Sequence, residues 1–290
     1  MTVDHGFAMR AALLSLSLII FASFSAAQGE DSATTPVVLV PHRAVYDLSL
    51  LKAEGAKAPS EARGRITFDF SGSACDGYIQ NVRQLTQLQP QEGEAQVSDM
   101  RSATFEAADG SDFRFKITTK VSNAESSGGS EETDGVAKKN KIGDIAIDLN
   151  KPKRGKLEYS GPILFPTDHM RKILQTAREG GKMLAARVYD ASGDGSKRFD
   201  TLTIIGEPLK SEPQEKPFQA EAFRNLRRWP ITISYFDLEQ KDQPPSYVLT
   251  LELFENGVTY SMKLDYGDFV LGAKTSSLTL LPPPKCKRPN

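Results

Sequence analysis

The chain has 290 residues, 39% of them hydrophobic, and its 36 Lys plus Arg nearly cancel its 37 Asp plus Glu, leaving a net charge of −1. That balance removes any bulk electrostatic drive toward nucleic acid or an anionic membrane as the main partner. Beyond residue 27 only two His, His42 and His169, and two Cys are present, too few for a metal site built on several His or on a Cys cluster, so no cofactor and no metal are expected.

Arg10 precedes an apolar run over 11–24 (AALLSLSLIIFASF), and Ser25, Ala26 and Ala27 then supply the small residues that a signal peptidase requires. That is the layout of a secretory leader spanning 1–27. The apolar run falls short of the ~20 residues that span a bilayer, so the mature chain is expected to be soluble and not an integral membrane protein. Asp4 sits where a leader should be basic, which leaves open whether Met1 or Met9 is the true start. Residues 28–36 (QGEDSATTP) are polar and unpatterned, as suits a flexible terminus. A single domain is expected over 37–290.

From there the hydrophobic period is two. Ala44, Tyr46, Leu48 and Leu50 share one face of a first strand, and Ile66, Phe68 and Phe70 one face of the next. Phe113, Phe115, Ile117, Thr119 and Val121 follow the hairpin signal Asp109-Gly110. Between them lie weaker candidates at 78–88 and 102–107, followed by others at 135–139 and 142–149. The charged stretch 122–141 reads mainly as a variable loop. In the second half the pattern returns at 182–189, 198–205, 229–236, 247–254 and 258–264, with Asn256-Gly257 between the last two. Two short candidates at 269–274 and 277–281 end a set of roughly a dozen strands. No long helix joins any two of them, so the sheet is expected to be antiparallel.

One helix interrupts the strands. Thr167 is a candidate cap, Met170, Ile173, Leu174 and Ala177 form an apolar stripe at helical spacing, and Gly180-Gly181 ends it. His169, in its first turn, reads as a partly exposed helix residue. A second, weaker helix is expected over 220–226, after a Pro-rich surface loop. So many strands cannot remain a flat open sheet, so a sheet curled into a barrel or spiral is expected, with the helix stripe plugging or lining its opening.

Chemistry is sparse. Ser49-Leu50-Leu51-Lys52 matches the S-x-x-K pattern by chance, on a strand end and without companion motifs. DASGDG over 190–195 has the spacing of a calcium loop but lacks its final Glu, and a tight polar hairpin explains it better. Basic clusters around Lys138 and Lys139, around Arg154, and at Arg224, Arg227 and Arg228 read as solvated surface, with docking of an acidic partner as the alternative. Trp229 reads as a core or rim aromatic that could face a ligand. Cys75 and Cys286 are the only cysteines. In an exported protein they are expected to pair with each other, whereas two free thiols would be open to oxidation.

Taken in order, HRAVYDLSL, GRITFDF leading into CDGY, LFPTDHMRKIL, RVYDASGDGSKRFDTLTIIG, YVLTLELFENGVTYSMKLDYGDF and a near-terminal Cys make the chain resemble the envelope-integrity protein B (EipB) family of Gram-negative bacteria. The resemblance covers essentially the whole mature chain. It implies a periplasmic, spiral-like β-sheet with the helix in its opening and Cys75 joined to Cys286. It also implies a non-enzymatic role in cell-envelope integrity and stress resistance, with a periplasmic tetratricopeptide-repeat protein as a partner. The alternative is a carrier for a lipid or other amphipathic ligand, with Met170, Ile173, Leu174 and Trp229 as the residues to bind or cover it.

Overall fold

The computed structural model describes residues 36–284 and 286, apart from 56–57, 124–127 and 241–242. The expected leader and nearly all of the polar terminus at 28–36 lie outside the described residues.

Eight strands come first: β1 (His42–Ala53), β2 (Glu61–Ser73), β3 (Gly77–Gln89), β4 (Gln96–Glu106), β5 (Asp112–Ser122), β6 (Ser130–Lys139), β7 (Ile145–Lys151) and β8 (Gly155–Tyr159). A two-residue strand, β9 (Ile163–Leu164), leads into the helix α1 (Pro166–Arg178). Six more strands follow: β10 (Met183–Val188), β11 (Phe199–Ile205), β12 (Arg228–Asp237), β13 (Tyr247–Phe254), β14 (Thr259–Asp265) and β15 (Phe269–Leu280).

All belong to one sheet, ordered β8-β7-β6-β5-β4-β3-β2-β1-β15-β14-β13-β12-β11-β10-β9. Each half of the chain is a meander of hairpins, and β1 pairs with β15 to join the halves at mid-sheet. Positive φ at Gly110 (68°) and Gly257 (87°) makes the turns before β5 and β14, a conformation glycine adopts without steric cost. The outer strands β8 and β9 do not pair with each other, so the sheet is curled and not closed. The β9 edge tucks inside instead: Ile163, Phe165, Tyr189 and Ala191 pack with Phe113, Phe115, Ile145 and Ile147 on the inner face of β5 to β7. This burial removes an edge that would otherwise invite pairing with another chain.

The alternation read from the sequence is the one the sheet uses, with Ala44, Tyr46, Leu48, Ile66 and Phe70 all buried. Four expectations need correction. The sheet holds fifteen strands because β8 and β9 carry too little apolar pattern to stand out, and half of the supposed loop at 122–141 is β6. The two short candidates after 268 are one strand, β15, whose register slips opposite Val45 and Tyr46; a bulge adds one residue to one strand and so breaks the period of two. The pairing is not wholly antiparallel, since β9 runs parallel to β10, with Ile163 beside Arg187 and Leu164 beside Val188. α1 is the crossover that this pair requires. Finally, 220–226 is not an α-helix. Short 3-10 turns at Lys216–Phe218 and Glu221–Phe223 carry Phe218 and Phe223 into a buried cluster with Phe254 and Val258.

Candidate functional site

The interior of the curl is built around α1. Its stripe is real: Ile173 (1% exposed) and Leu174 (0%) are fully buried, packed with Ala177, Trp229, Leu253, Phe70 and Tyr78. Trp229 lies deep in this core, with the Arg227 guanidinium 5.0 Å from its ring centre, and does not stand at a rim.

The N-terminus of α1 is held differently from expectation. Thr167 is not the cap; the cap position is Phe165, whose side chain makes no capping bond. The first free N–H groups are satisfied from across the fold, where Glu106 at the end of β4 accepts from Thr167 N and Asp168 N, both at 2.8 Å. Burial pushes the Glu106 carboxyl up to about 7, and the nearby Asp168 adds to it, against the pull of the two N–H donors. Asp168 in turn binds Lys139 Nζ at 2.9 Å and the Arg171 guanidinium, and Arg171 donates to Ala108 O at 3.1 Å. Lys139 is therefore not solvated surface. Its side chain is 13% exposed and its ammonium sits over the Phe165 ring.

His169, expected to be partly exposed, is buried. Desolvation lowers its imidazole to about 4, so it is neutral. Its Nε2 lies 3.4 Å from Thr201 Oγ1, and Thr201 gives its own proton to Ala186 O at 2.9 Å. Thr201 Oγ1 then accepts from His169 Nε2, which is the reverse of what a base activating a nucleophile needs.

Beside α1, between the two halves of the sheet, lies a cavity of about 320 Å³. Met170 and Ile173 line it, whereas Leu174 and Trp229 stand behind its wall. Its apolar surface comes from Phe68, Val82, Ile233, Leu249, Leu251 and Met262. Polar side chains break into that surface: His42, His169, Gln80, Gln84, Tyr235 and Asp190. Asp190 belongs to the loop expected to be a tight polar hairpin. The loop does close the β10–β11 hairpin, but it runs over 189–198 and its start turns inward, with Tyr189 fully buried and Asp190 in the cavity wall. Asp190 and Asp194 each bond the serine two residues ahead, and burial raises the Asp190 carboxyl. No sequence pattern separates these polar residues from surface ones, because Gln80 and Gln84 occupy the inward positions of β3 where apolar residues are expected.

A larger groove of about 580 Å³ crosses the outer face of β1 to β5, past Arg43, Arg83, Arg101 and Lys116. Its charges are already paired, Arg83 and Arg101 with Asp99 at 2.9 and 3.1 Å and Lys116 with Glu132 at 3.0 Å. The interior cavity beside α1 is the better site.

Cys75 lies in the turn between β2 and β3, and Cys286 just beyond β15. The two stand at disulfide distance, with Cα atoms 5.7 Å apart.

A single sheet curled around one buried helix, with a partly polar cavity and a clasp from the second hairpin to the C-terminal tail, defines a β-barrel-like protein with an interior site. Comparison with known proteins gives the family. The profile described as EipB-like matches residues 33–282, and the chain belongs to that family. It is 36% identical over 271 residues to the cell envelope integrity protein EipB of Brucella abortus (strain 2308), covering 93% of each chain. It is also similar to the crystal structure of a β-barrel-like protein of a domain of unknown function from Brucella abortus, with a TM-score of 0.77 and 36% identity, over 85% of this chain and 100% of that one. Among the described residues no helix is long and apolar enough to cross a membrane.

Proposed function

We propose that this chain is a periplasmic factor that maintains cell-envelope integrity by engaging protein partners, a tetratricopeptide-repeat protein among them, and not by catalysis. The observation that carries this reading is the 36% identity, across 93% of both chains, to a relative named for envelope integrity. A Cys pair clasped across the fold suits an oxidising compartment. His169 and Thr201, the nearest approach to a nucleophile and base, are bonded in the wrong sense for catalysis. Loss of the gene should sensitise cells to detergents and to cell-wall antibiotics, and the mature oxidised protein, beginning at Gln28, should capture a stoichiometric periplasmic protein from envelope extract. Purified protein that hydrolyses peptidoglycan, ester or phosphate substrates, and loses that activity on a point mutation, would overturn it.

A second reading, binding of an amphipathic ligand, is favoured by the interior cavity, since a space with apolar walls and a few inward polar groups is the usual form of a small-molecule site.

A further inference from the structure

We infer that the interior cavity binds a single-chain amphipath whose head group is uncharged and both donates and accepts hydrogen bonds, such as a medium-chain alcohol or monoacylglycerol. This rests on the ligand-binding reading above and names its ligand class.

Size sets the first limit. The cavity of about 320 Å³ is at the lower end of ligand pockets, and at ~30 Å³ for each water it holds about ten water-sized groups. That is one chain of medium length. A two-chain phospholipid does not fit. The bed for the chain lies between Phe68 and Val82 of the first half and Ile233, Leu249, Leu251 and Met262 of the second.

Charge sets the second limit. Among the described residues no Lys or Arg lines the cavity, and its single carboxyl is Asp190. A phosphate or carboxylate head would enter a low-dielectric space with no counter-charge, which costs several kcal/mol (order of magnitude). A cationic head would have Asp190 alone as a partner. Asp190 Oδ1 already accepts from Ser192 N at 2.9 Å and from its hydroxyl, and burial favours the protonated carboxyl.

The polar lining matches a neutral head. His42 Nδ1 lies 2.8 Å from Val40 O; a carbonyl only accepts, so Nδ1 carries the proton and Nε2 is left as an acceptor. His169 donates from Nε2 to Thr201, which leaves its Nδ1 as an acceptor. The amides of Gln80 and Gln84 offer both roles, one N–H of Gln84 being already given to Thr86 Oγ1 at 3.2 Å, and they flank inward-facing Val82 two residues to either side on β3. Hydrophobic positions filled by two glutamines weaken a core unless something polar meets them.

The test uses the mature oxidised protein, titrated by calorimetry and checked by native mass spectrometry. The probes are n-decanol, decyl phosphate, decylamine and a diacyl phosphatidylglycerol. n-Decanol is expected to bind one-to-one, with the two charged decyl probes weaker by roughly tenfold or more and the diacyl lipid not bound. Val82→Trp, which fills the chain bed, should abolish n-decanol binding at an unchanged melting temperature, and Met262→Trp serves if that variant does not fold. Decyl phosphate or decylamine binding as tightly as n-decanol, the amine losing it in Asp190→Asn, would overturn the head-group assignment and leave ligand binding standing. Binding that survives both filled variants would overturn the location. Wild-type protein that binds no probe would overturn ligand binding itself.

Discussion

Glu106 closes α1 from outside the helix, its two carboxylate oxygens each accepting one backbone N–H, from Thr167 and Asp168, at 2.8 Å. The residue that holds the helix is thus some sixty positions earlier in the chain, at the end of a strand. Removing it leaves two buried donors without a partner, so Glu106→Ala is expected to cost about 2–4 kcal/mol in urea unfolding. A loss below about 0.5 kcal/mol, the size of an ordinary surface change, would show that water replaces the carboxylate without penalty.

Glu106 and His169, both at the start of α1, titrate in opposite senses. Glu106 rises on folding from 4.5 to about 7, so the folded state holds its proton more tightly and stability falls as pH climbs through that window. His169 drops from 6.5 to about 4, so the unfolded state binds the proton and stability falls as pH drops through 6.5. Each is worth about 3 kcal/mol, and His42 and Asp190 shift in the same two directions. The wild type should therefore vary little in stability between pH 4.5 and 6.5, while Glu106→Gln should become more stable with rising pH and His169→Phe less stable. Parallel pH profiles for the two variants would refute the opposition.

The Cys75–Cys286 pair closes a loop of 211 residues. Chain entropy credits such a closure with up to about 5 kcal/mol. Cys75→Ser and Cys286→Ser are each expected to lower the melting temperature by several degrees while keeping the β-sheet circular dichroism, because the sheet pairs β1 with β15 without the clasp. Identical melting of oxidised and reduced protein would count against it.

The helix stripe divides into a fixed half and a cavity half. Leu174, fully buried in the core, should cost about 2–5 kcal/mol when cut to Ala. Met170, half-buried against the cavity, should cost less than half as much. Equal and small losses would instead describe a helix loosely seated along its whole length.

Arg228 is 5% exposed and bonds Glu252 at 3.1 Å and Ser211 O at 2.9 Å, with its guanidinium 4.6 Å from the Tyr260 ring centre. Arg228→Met alone should cost about 3 kcal/mol, since it strands Glu252, and adding Glu252→Leu should recover most of that. A double variant no better than the single one would mean that the pair contributes through geometry and not through charge.

The residues that escaped sequence reading share one property. Lys139, Arg228 and His169 are polar and largely buried, and each meets a side chain 24 to 32 positions away, Asp168, Glu252 and Thr201 respectively, while Asp190, bonded locally to Ser192, is carried into the cavity wall by the path of its loop. A sequence lists such residues among the charged and exposed ones, because the partner or loop path that makes their burial tolerable does not show in the residues beside them. The strands with clean alternation, β1, β2, β5 and β11 to β14, were legible from local pattern alone.

The sequence by itself determined the β class, the inward faces of most strands, the two sharpest turns at Gly110 and Gly257, the helix with its Ile173 and Leu174 stripe, and the choice of Cys pair. These depend on side-chain period, on φ preference and on there being only two cysteines. Only the tertiary structure decided that β1 meets β15, that β9 runs parallel to β10 inside the curl, that Glu106 caps α1, and that a cavity with polar groups in its wall remains beside the helix. Those features depend on where a twisted sheet of fifteen strands brings its edges, and twist accumulates over the whole sheet while no single strand records it.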